Sequence, residues 1–436
     1  MRVAMSSYSG MGAWFVLRLM AEGHDVDYYL SDAKYEDVLR GLIPKPKMLE
    51  LDHRRHSLGY GHPNYRGYDL SLFDLTGRPK QAEASKLAAP TLGDGQFEHL
   101  LEDDREFGLS AMEQCGIDVP PYQRFDKPAE AKVFITKENK KFVYKPFTIG
   151  GQTQDTATTY VSKSAEDLLK AIDKLFEASK RAPFILQEVI DGGVEIGIEG
   201  FFNGTSFFLL TGTLEEKKFM NDRKGPNTGC GGNLIFTLRD SARIYEEGLK
   251  KAIPMLSSMG FRGILDLNSI VKEGKFYALE WTPRFGYLCC PTIAHMYSHG
   301  YGNVLHAIAS GKTPLLRWKW EFGGGVTFTI PPYPSEIRLL KSKGIPIEGI
   351  DPKDLVQLCE YYLYDVRLAK DRKSLETSGN YGYVGAAIAG GNTIDQAFDK
   401  VDERIDRVQV PNMQYRTDIR KCVKERYEQL LRDSWL

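Results

Sequence analysis

The segment Lys217–Gly232 (KKFMNDRKGPNTGCGG) opens on a basic pair, crosses a Pro turn and ends on Gly229, Gly231 and Gly232. Glycine takes φ > 0 without strain and lets other groups come close, so backbone N–H groups in such a segment can converge on an anion. Lys217, Lys218, Arg223 and Lys224 add positive charge beside it. The plainer expectation is a solvated basic loop followed by a glycine-rich turn. A second cation, Lys145, ends the apolar run Phe142–Lys145 just before Pro146, poised to reach a phosphate. Its alternative is an edge-strand lysine that discourages aggregation. A third group is acidic: Asp266, Asn268, Glu280 and Thr282 lie on two strand-like runs, Gly263–Val271 and Phe276–Thr282, joined by a turn at Lys272–Lys275. Acidic oxygens gathered beside a polyphosphate are what Mg²⁺ requires.

Register decides whether the acids can share a metal, because antiparallel neighbours lie on one face only at the right parity. A two-residue loop at Glu273–Gly274 pairs Lys272 with Lys275 and sets Asp266 and Glu280 on opposite faces. A three-residue loop, Glu273–Lys275, sets Asp266 opposite Thr282 and Asn268 opposite Glu280. A shared metal therefore predicts the second register, or a bulge that restores it.

The elements carrying these residues follow from periodicity. Residues 1–31 read as strand, glycine turn, helix and strand. The turn Ser9–Gly12 lacks the third glycine of a dinucleotide fingerprint, Phe15 standing in its place. Tyr68–Asp74 is a further strand and Leu101–Cys115 a helix bearing Arg105. Val133–Thr136, Phe142–Lys145 and Thr158–Val161 read as strands, Thr148–Gly151 as a glycine loop, and Ser164–Ala178 as a helix capped by Ser164. The apolar strand Phe184–Ile190 is interrupted by Gln187 and Glu188. Asp240–Met259 has the pattern of one amphipathic helix. Tyr381–Ala389 is apolar, and helices are expected over Thr393–Ile405 and from Tyr415 to Leu431.

Lys+Arg number 57 against 58 Asp+Glu, so no net field draws the chain to nucleic acid or an acidic membrane. No run reaches the ~18–20 apolar residues of a membrane span. The six cysteines, of which only Cys289 and Cys290 are close, fit reduced thiols in a cytoplasmic protein. With 436 residues the chain is expected to hold several domains.

Taken together, FVYKPFTIGG (142–151), FILQEVIDGGVE (184–195), KKFMNDRKGPNTGCGG (217–232), YALEWTPRFG (277–286) and YRTDI (415–419) resemble, in order and spacing, the ATP-grasp enzymes, in particular phosphoribosylamine–glycine ligases. That resemblance implies an α/β (α+β) chain with the ATP-grasp fold. It implies an N-terminal doubly wound α/β domain at 1–97 and a central antiparallel-sheet domain at 98–119 and 191–325. A small lid at 120–190 and a C-terminal α/β domain at 326–436 complete it. It implies ATP with Mg²⁺ or Mn²⁺ as cofactors, and small-molecule amino acid and amine substrates. No nucleic-acid or membrane partner is implied, and the assembly would be a monomer or homodimer. Arg105 and Lys145 would meet nucleotide phosphates. The hinge Gln187, Glu188, Val189 and Ile190 would meet adenine, with Glu195 on the ribose. Lys217, Asn227, Thr228, Gly229 and Arg284 would serve the acyl phosphate, and Glu280, Asp266 and Thr282 the metal.

Three departures fall on the substrate side. Ala13-Trp14-Phe15 replace the family's Arg-Glu-His, Tyr287-Leu288-Cys289 its Asp-Pro-Glu, and Glu215-Glu216-Lys217-Lys218 its Asp-His-Lys-Arg. The metal motif is Glu280-Trp281-Thr282 where the family has Glu-x-Asn. The expected activity is phosphoribosylamine–glycine ligation in purine biosynthesis. A ligase joining another amino acid and amine, and a nucleotide-binding regulatory protein without catalysis, stand as alternatives.

Overall fold

Strands covered on both faces read as unbroken apolar runs, whereas half-covered strands alternate, and both patterns occur here. The computed structural model describes residues 1–49, 64–75, 79–147, 159–298, 300–335 and 342–436. The expected glycine loop Thr148–Gly151, and Thr158 at the head of one expected strand, lie outside the described residues.

The first sheet is parallel, in the order β3-β2-β1-β4-β5, from β1 (Arg2–Ser7), β2 (Asp25–Leu30), β3 (Lys47–Met48), β4 (Leu70–Phe73) and β5 (Thr91–Leu92). The chain winds outward from β1 in both directions, so the β1–β4 boundary is the switch point at which such sheets open a crevice. The turn after β1 lies there.

A four-stranded antiparallel sheet follows, ordered β6-β9-β7-β8, from β6 (Tyr122–Phe125), β7 (Phe142–Pro146), β8 (Tyr160–Val161) and β9 (Phe184–Glu188). With the helices Pro128–Glu138 and Ala165–Ala178 it encloses its own core of Phe125, Ile135, Phe142, Tyr144, Leu168 and Phe184. The strand expected at Val133–Thr136 is the second half of the first of these helices. Pro128 starts that helix and Asn139, in the left-handed conformation, ends it. Capping and burial of Ala131 and Ile135 outweigh the β-branched run.

The largest sheet has nine strands. Its path is β14-β13-β10-β11-β12-β15-β20-β17, with β21 on β15. These are β10 (Val194–Phe202), β11 (Phe207–Met220), β12 (Lys224–Thr237), β13 (Gly263–Lys272), β14 (Lys275–Thr282), β15 (Phe322–Thr329), β17 (Tyr361–Leu363), β20 (Tyr383–Gly391) and β21 (Gln414–Tyr415). It is continuous through residue 325, and one core runs beneath it from the N-terminal sheet to the C-terminal helices. A small sheet, β16 (Pro346–Ile347), β19 (Leu375–Thr377) and β18 (Val366–Leu368), stands apart.

Two expected helices are broken. Leu101–Cys115 divides into Gln96–Asp103 and Arg105–Gln114, because Asp104 leaves helical dihedrals and its carboxylate accepts the Phe107 N–H. The break makes Arg105 the first residue of a helix. Asp240–Met259 divides at Gly248 into Arg243–Glu247 and Leu249–Ser258.

Candidate active site

Alternate residues on neighbouring strands fill one face of the large sheet. Asp266 pairs with Thr282 and Asn268 with Glu280. Across β10, Gly197 pairs with Asn268 and Glu199 with Asp266, and Gly197 pairs with Thr213 of β11. Paired residues share a face, and period two along β11 adds Glu215 and Lys217 to it. A cleft is lined by Glu195, Gly197, Thr213, Glu215, Asp266 and Asn268.

The metal register is reached by the bulge. Lys272 pairs with Lys275, so the loop is the two-residue Glu273–Gly274, both residues at φ > 0 as such hairpins need. That is the odd register. Between Asn268 and Ser269 the pairing shifts by one, leaving Leu279 as the extra residue, and the acids come to one face.

The donor set suits a hard cation. Asp266 Oδ1 is buried with no hydrogen-bond partner, while Oδ2 accepts from Asn268 Nδ2 at 3.3 Å. A Cβ on Gly197 would lie 2.7 Å from Asp266 Oδ1, so glycine is what leaves room for that carboxylate. Burial, then Glu199, Glu215 and Glu280, hold the Asp266 carboxyl well above its usual range. Glu199, on the same face, is buried and pushed up to about 7 by desolvation. Among the described residues no group of three or more His, Cys, Asp or Glu side chains gathers at metal-binding spacing. Mg²⁺ needs only one or two carboxylates beside phosphate oxygens and water, and Asp266 and Glu280, with Thr282 opposite Asp266, would be the residues to supply them.

Lys145 closes the cleft from the lid. On β7 the side chain of Tyr144 enters the lid core, and Lys145 points the other way. Burial, with Arg105 beside it, lowers the Lys145 ammonium to about 8. Arg105 donates from Nε to the Pro146 carbonyl at 3.1 Å, and burial brings it down to about 10. Two desolvated cations side by side are poised for a polyanion.

Lys217 Nζ lies 2.7 Å from Glu195 Oε1. Burial opposes its charge, but Glu195 and Glu215 outweigh that and hold the ammonium above its usual value. Arg284 Nε donates to Glu102 Oε1 at 2.7 Å, and its guanidinium lies 5.5 Å from the Tyr287 ring centroid. The Gln187 amide is buried and reaches the Pro120 carbonyl at 3.5 Å. Glu188 donates its N–H to the Pro121 carbonyl at 2.8 Å, and its side chain pairs with Lys140. Val189 and Ile190 beyond it are half-buried.

The glycine-rich segment differs from the expectation. Lys217–Met220 end strand β11 and Lys224–Gly232 begin strand β12; Gly229, Gly231 and Gly232 do not take φ > 0, and of the segment's glycines only Gly225 does, at φ 78°, beside Asp222 and Arg223 in the turn. What the segment uses is glycine's lack of a side chain. A Cβ on Gly231 would lie 3.1 Å from the Glu216 carbonyl, and one on Gly232 would lie 2.8 Å from the Gly325 carbonyl. Thr228 Oγ1 donates to the Lys217 carbonyl at 2.8 Å; Asn227 and Gly229 are exposed.

Sequence reasoning missed Glu102, although it stands in LEDDREF beside Arg105. It also missed the N-terminal turn's internal partner. The N–H of Gly12 donates to Asp74 Oδ2 at 2.8 Å, that of Gly10 to Ser7 Oγ at 3.0 Å, and Ser7 Oγ donates to Asp74. Trp14 is buried and donates to the Tyr361 carbonyl, and Phe15 packs on Phe285 at 4.9 Å between centroids.

A lid sheet over a larger antiparallel sheet, with buried cations facing an acidic sheet face, defines the ATP-grasp class, and comparison with known proteins agrees. Residues 103–290 match the phosphoribosylglycinamide synthetase, ATP-grasp (A) domain. The chain has the ATP-grasp fold and resembles phosphoribosylamine–glycine ligases over most of its length. It is 25% identical over 342 residues to the phosphoribosylamine–glycine ligase of Clostridium acetobutylicum, covering 76% of this chain and 78% of that one. To that of Lactococcus lactis it is 22% identical, covering 77% and 78%. The crystal structure of the Thermotoga maritima phosphoribosylamine–glycine ligase superposes with TM-score 0.70 at 19% identity, covering 96% of this chain and 100% of that one. A biotin carboxylase from Campylobacter jejuni shares the fold at TM-score 0.64 and 12% identity, covering 94% and 92%.

Proposed function

We propose that this protein is an ADP-forming carboxylate–amine ligase, and that its reaction is ATP + glycine + phosphoribosylamine → ADP + phosphate + glycinamide ribonucleotide. The observation that carries the reading is the pair of desolvated cations, buried Lys145 and half-buried Arg105, facing the acids Asp266 and Glu280 across the cleft, with Lys217 at its side. The family match and the named relatives support the choice of substrates.

A carboxylate is a poor electrophile, because its leaving group would be oxide. One carboxylate oxygen attacks the γ-phosphorus, the bond to the β-phosphate oxygen breaks, and ADP leaves. The amine nitrogen then attacks the acyl carbon, phosphate leaves with the bridging oxygen, and the nitrogen gives up a proton. Little covalent work falls to the protein, which positions reactants and neutralises charge. Lys145 and Arg105 hold the nucleotide phosphates, Glu195 the ribose, and Lys217 and Arg284 the transferred phosphate or the carboxylate. A divalent ion held by Asp266 and Glu280 would neutralise phosphate charge when bound.

A second reading, another amine in place of phosphoribosylamine, is favoured by the N-terminal turn. The N–H groups of Gly10 and Gly12 are already met by Ser7 and Asp74, leaving a sugar phosphate nothing to gain from them. A screen of ADP release over amino acids and amines decides. Glycine with phosphoribosylamine should exceed every other pair. A different winning pair selects the second reading, and a protein that binds ATP but releases no ADP with any pair defeats both.

A further inference from the structure

The ladder between β11 and β12 fails where Lys217 sits. Pairing is regular up to Glu216 with Gly232, resumes only at Lys218 with Asn227, and slips again before Met220 with Lys224. The strand bearing Lys217 is therefore not held in place by regular pairing on that side. It is held from behind. Glu216 and Lys218 flank Lys217 and face away from the cleft by strand alternation. Arg416, 3% exposed, donates from one terminal nitrogen to Glu216 Oε2 at 3.2 Å and to the Lys218 carbonyl at 3.1 Å. Its Nε and other terminal nitrogen fork onto Asp418 at 2.8 and 2.9 Å.

The brace extends on both sides. Asp418 accepts the Asp222 N–H at 2.9 Å, and Asn221 exchanges hydrogen bonds with Thr417. Arg426 reaches the Glu215 carbonyl and Glu216 Oε1, each at 2.8 Å, and the Glu195 carbonyl at 3.5 Å. Arg223 adds a third guanidinium to Glu216, which is itself 3% exposed. The C-terminal segment thus grips the backbone on either side of Lys217 and beneath its partner Glu195.

We propose that Arg416 is a positioning residue: through Glu216 and the Lys218 carbonyl it aims Lys217 at the transferred phosphate. This rests on the role given above to Lys217. Arginine is needed because a planar fork can satisfy a carboxylate, a second carboxylate and a carbonyl at fixed angles, whereas an ammonium is a point donor.

The test compares Arg416→Lys with the parent. A misplacement of about 1 Å costs up to roughly a hundredfold in rate, so kcat should fall about tenfold to a hundredfold, with the KM for ATP little changed. Added guanidinium should restore part of the kcat of Arg416→Ala. The second readout needs no turnover. Labelling of Lys217 by an amine-reactive acylating reagent, followed by mass spectrometry, should speed up several-fold in Arg416→Lys as the ammonium loses its fixed place beside Glu195. Arg404→Lys is the control for lost stability alone. Arg404 is a buried arginine on the helix Ile394–Arg407, bonded to Glu360 at 2.7 Å, and Arg404→Lys should leave Lys217 labelling at the parental rate. Parental Lys217 labelling in Arg416→Lys, or a kcat loss matched by Arg404→Lys at equal stability, would overturn the proposal. If the parent releases no ADP with any substrate pair, the functional reading fails, while the labelling comparison still decides the positioning.

Discussion

Lys145 shows what a residue type gains from its surroundings. Burial and the neighbouring Arg105 lower its ammonium from 10.5 to about 8. The sign for binding follows directly: in the free protein the lysine is charged below about 8 and increasingly neutral above it, and a nucleotide polyphosphate favours the charged form. ATP affinity should therefore fall as pH rises through about 8, and binding above that pH should take up a proton, both measurable by calorimetry in buffers of different ionisation heat. Lys145→Ala should remove this pH dependence and weaken ATP binding roughly tenfold to a hundredfold, the equivalent of a charge-assisted contact of ~1.5–3 kcal/mol. Binding and turnover at parental levels would make Lys145 a bystander. Glu280→Gln should reduce turnover far more than nucleotide affinity, and Thr282→Asn should keep or improve metal affinity, read from Mg²⁺ titrations of ADP release. Residue types were legible for Lys145, Asp266 and Glu280 because their chemistry is tied to local runs of sequence. Glu102 and Asp74 were not, because what defines them is a partner distant in the chain: Arg284 for the first, the N-terminal turn for the second.

At the scale of elements, the hairpin β13–β14 carries the most consequence. Its two-residue turn alone would turn Glu280 away from Asp266, and the bulge at Leu279 reverses that. Deleting Leu279 should remove the bulge yet keep Asn268 opposite Glu280 and Asp266 opposite Thr282, because Glu280 then follows Ala278 directly, and Trp281 should stay buried with its indole donating to the Gly108 carbonyl, as it now does at 3.0 Å. Metal-dependent ADP release should persist with tryptophan emission unshifted; loss of activity with a red shift would contradict the register. Gly197→Ala probes the same face from β10. Its Cβ would collide with Asp266 Oδ1, so the Mg²⁺ concentration for half-maximal activity should rise while the fold, read by circular dichroism, stays. The need for a compensating bulge could be argued from parity, but the choice of the two-residue turn could not, since Glu273-Gly274 and the longer loop both suit the residues present. The segment 217–232 was legible as special and mistaken in its geometry. Gly231 and Gly232 serve close strand approach rather than left-handed turns, a distinction that depends on which backbone lies opposite.

At the scale of the molecule, the lid has a core of its own, whereas the N-terminal sheet, large sheet and C-terminal helices share one. Lys145 belongs to the first body and Asp266 and Glu280 to the second, so a nucleotide bound as proposed would lie between them and should couple their stabilities. Chelating divalent ions should abolish ADP release and leave the secondary structure intact, because the core beneath the sheet is built of apolar side chains; loss of circular dichroism on chelation would contradict that. The overall order of segments was legible because phosphate, hinge and metal motifs recur at family spacing. The continuity of the large sheet through residue 325 was not, because it depends on strands more than 50 residues apart, such as β15 and β20. The central claim is that a carboxylate is activated by phosphorylation. Its most direct test supplies glycine labelled with ¹⁸O in the carboxylate, together with ATP and phosphoribosylamine, and reads the released phosphate by mass spectrometry. One ¹⁸O atom in each phosphate formed is the predicted result; phosphate released at the same rate without the label would contradict it.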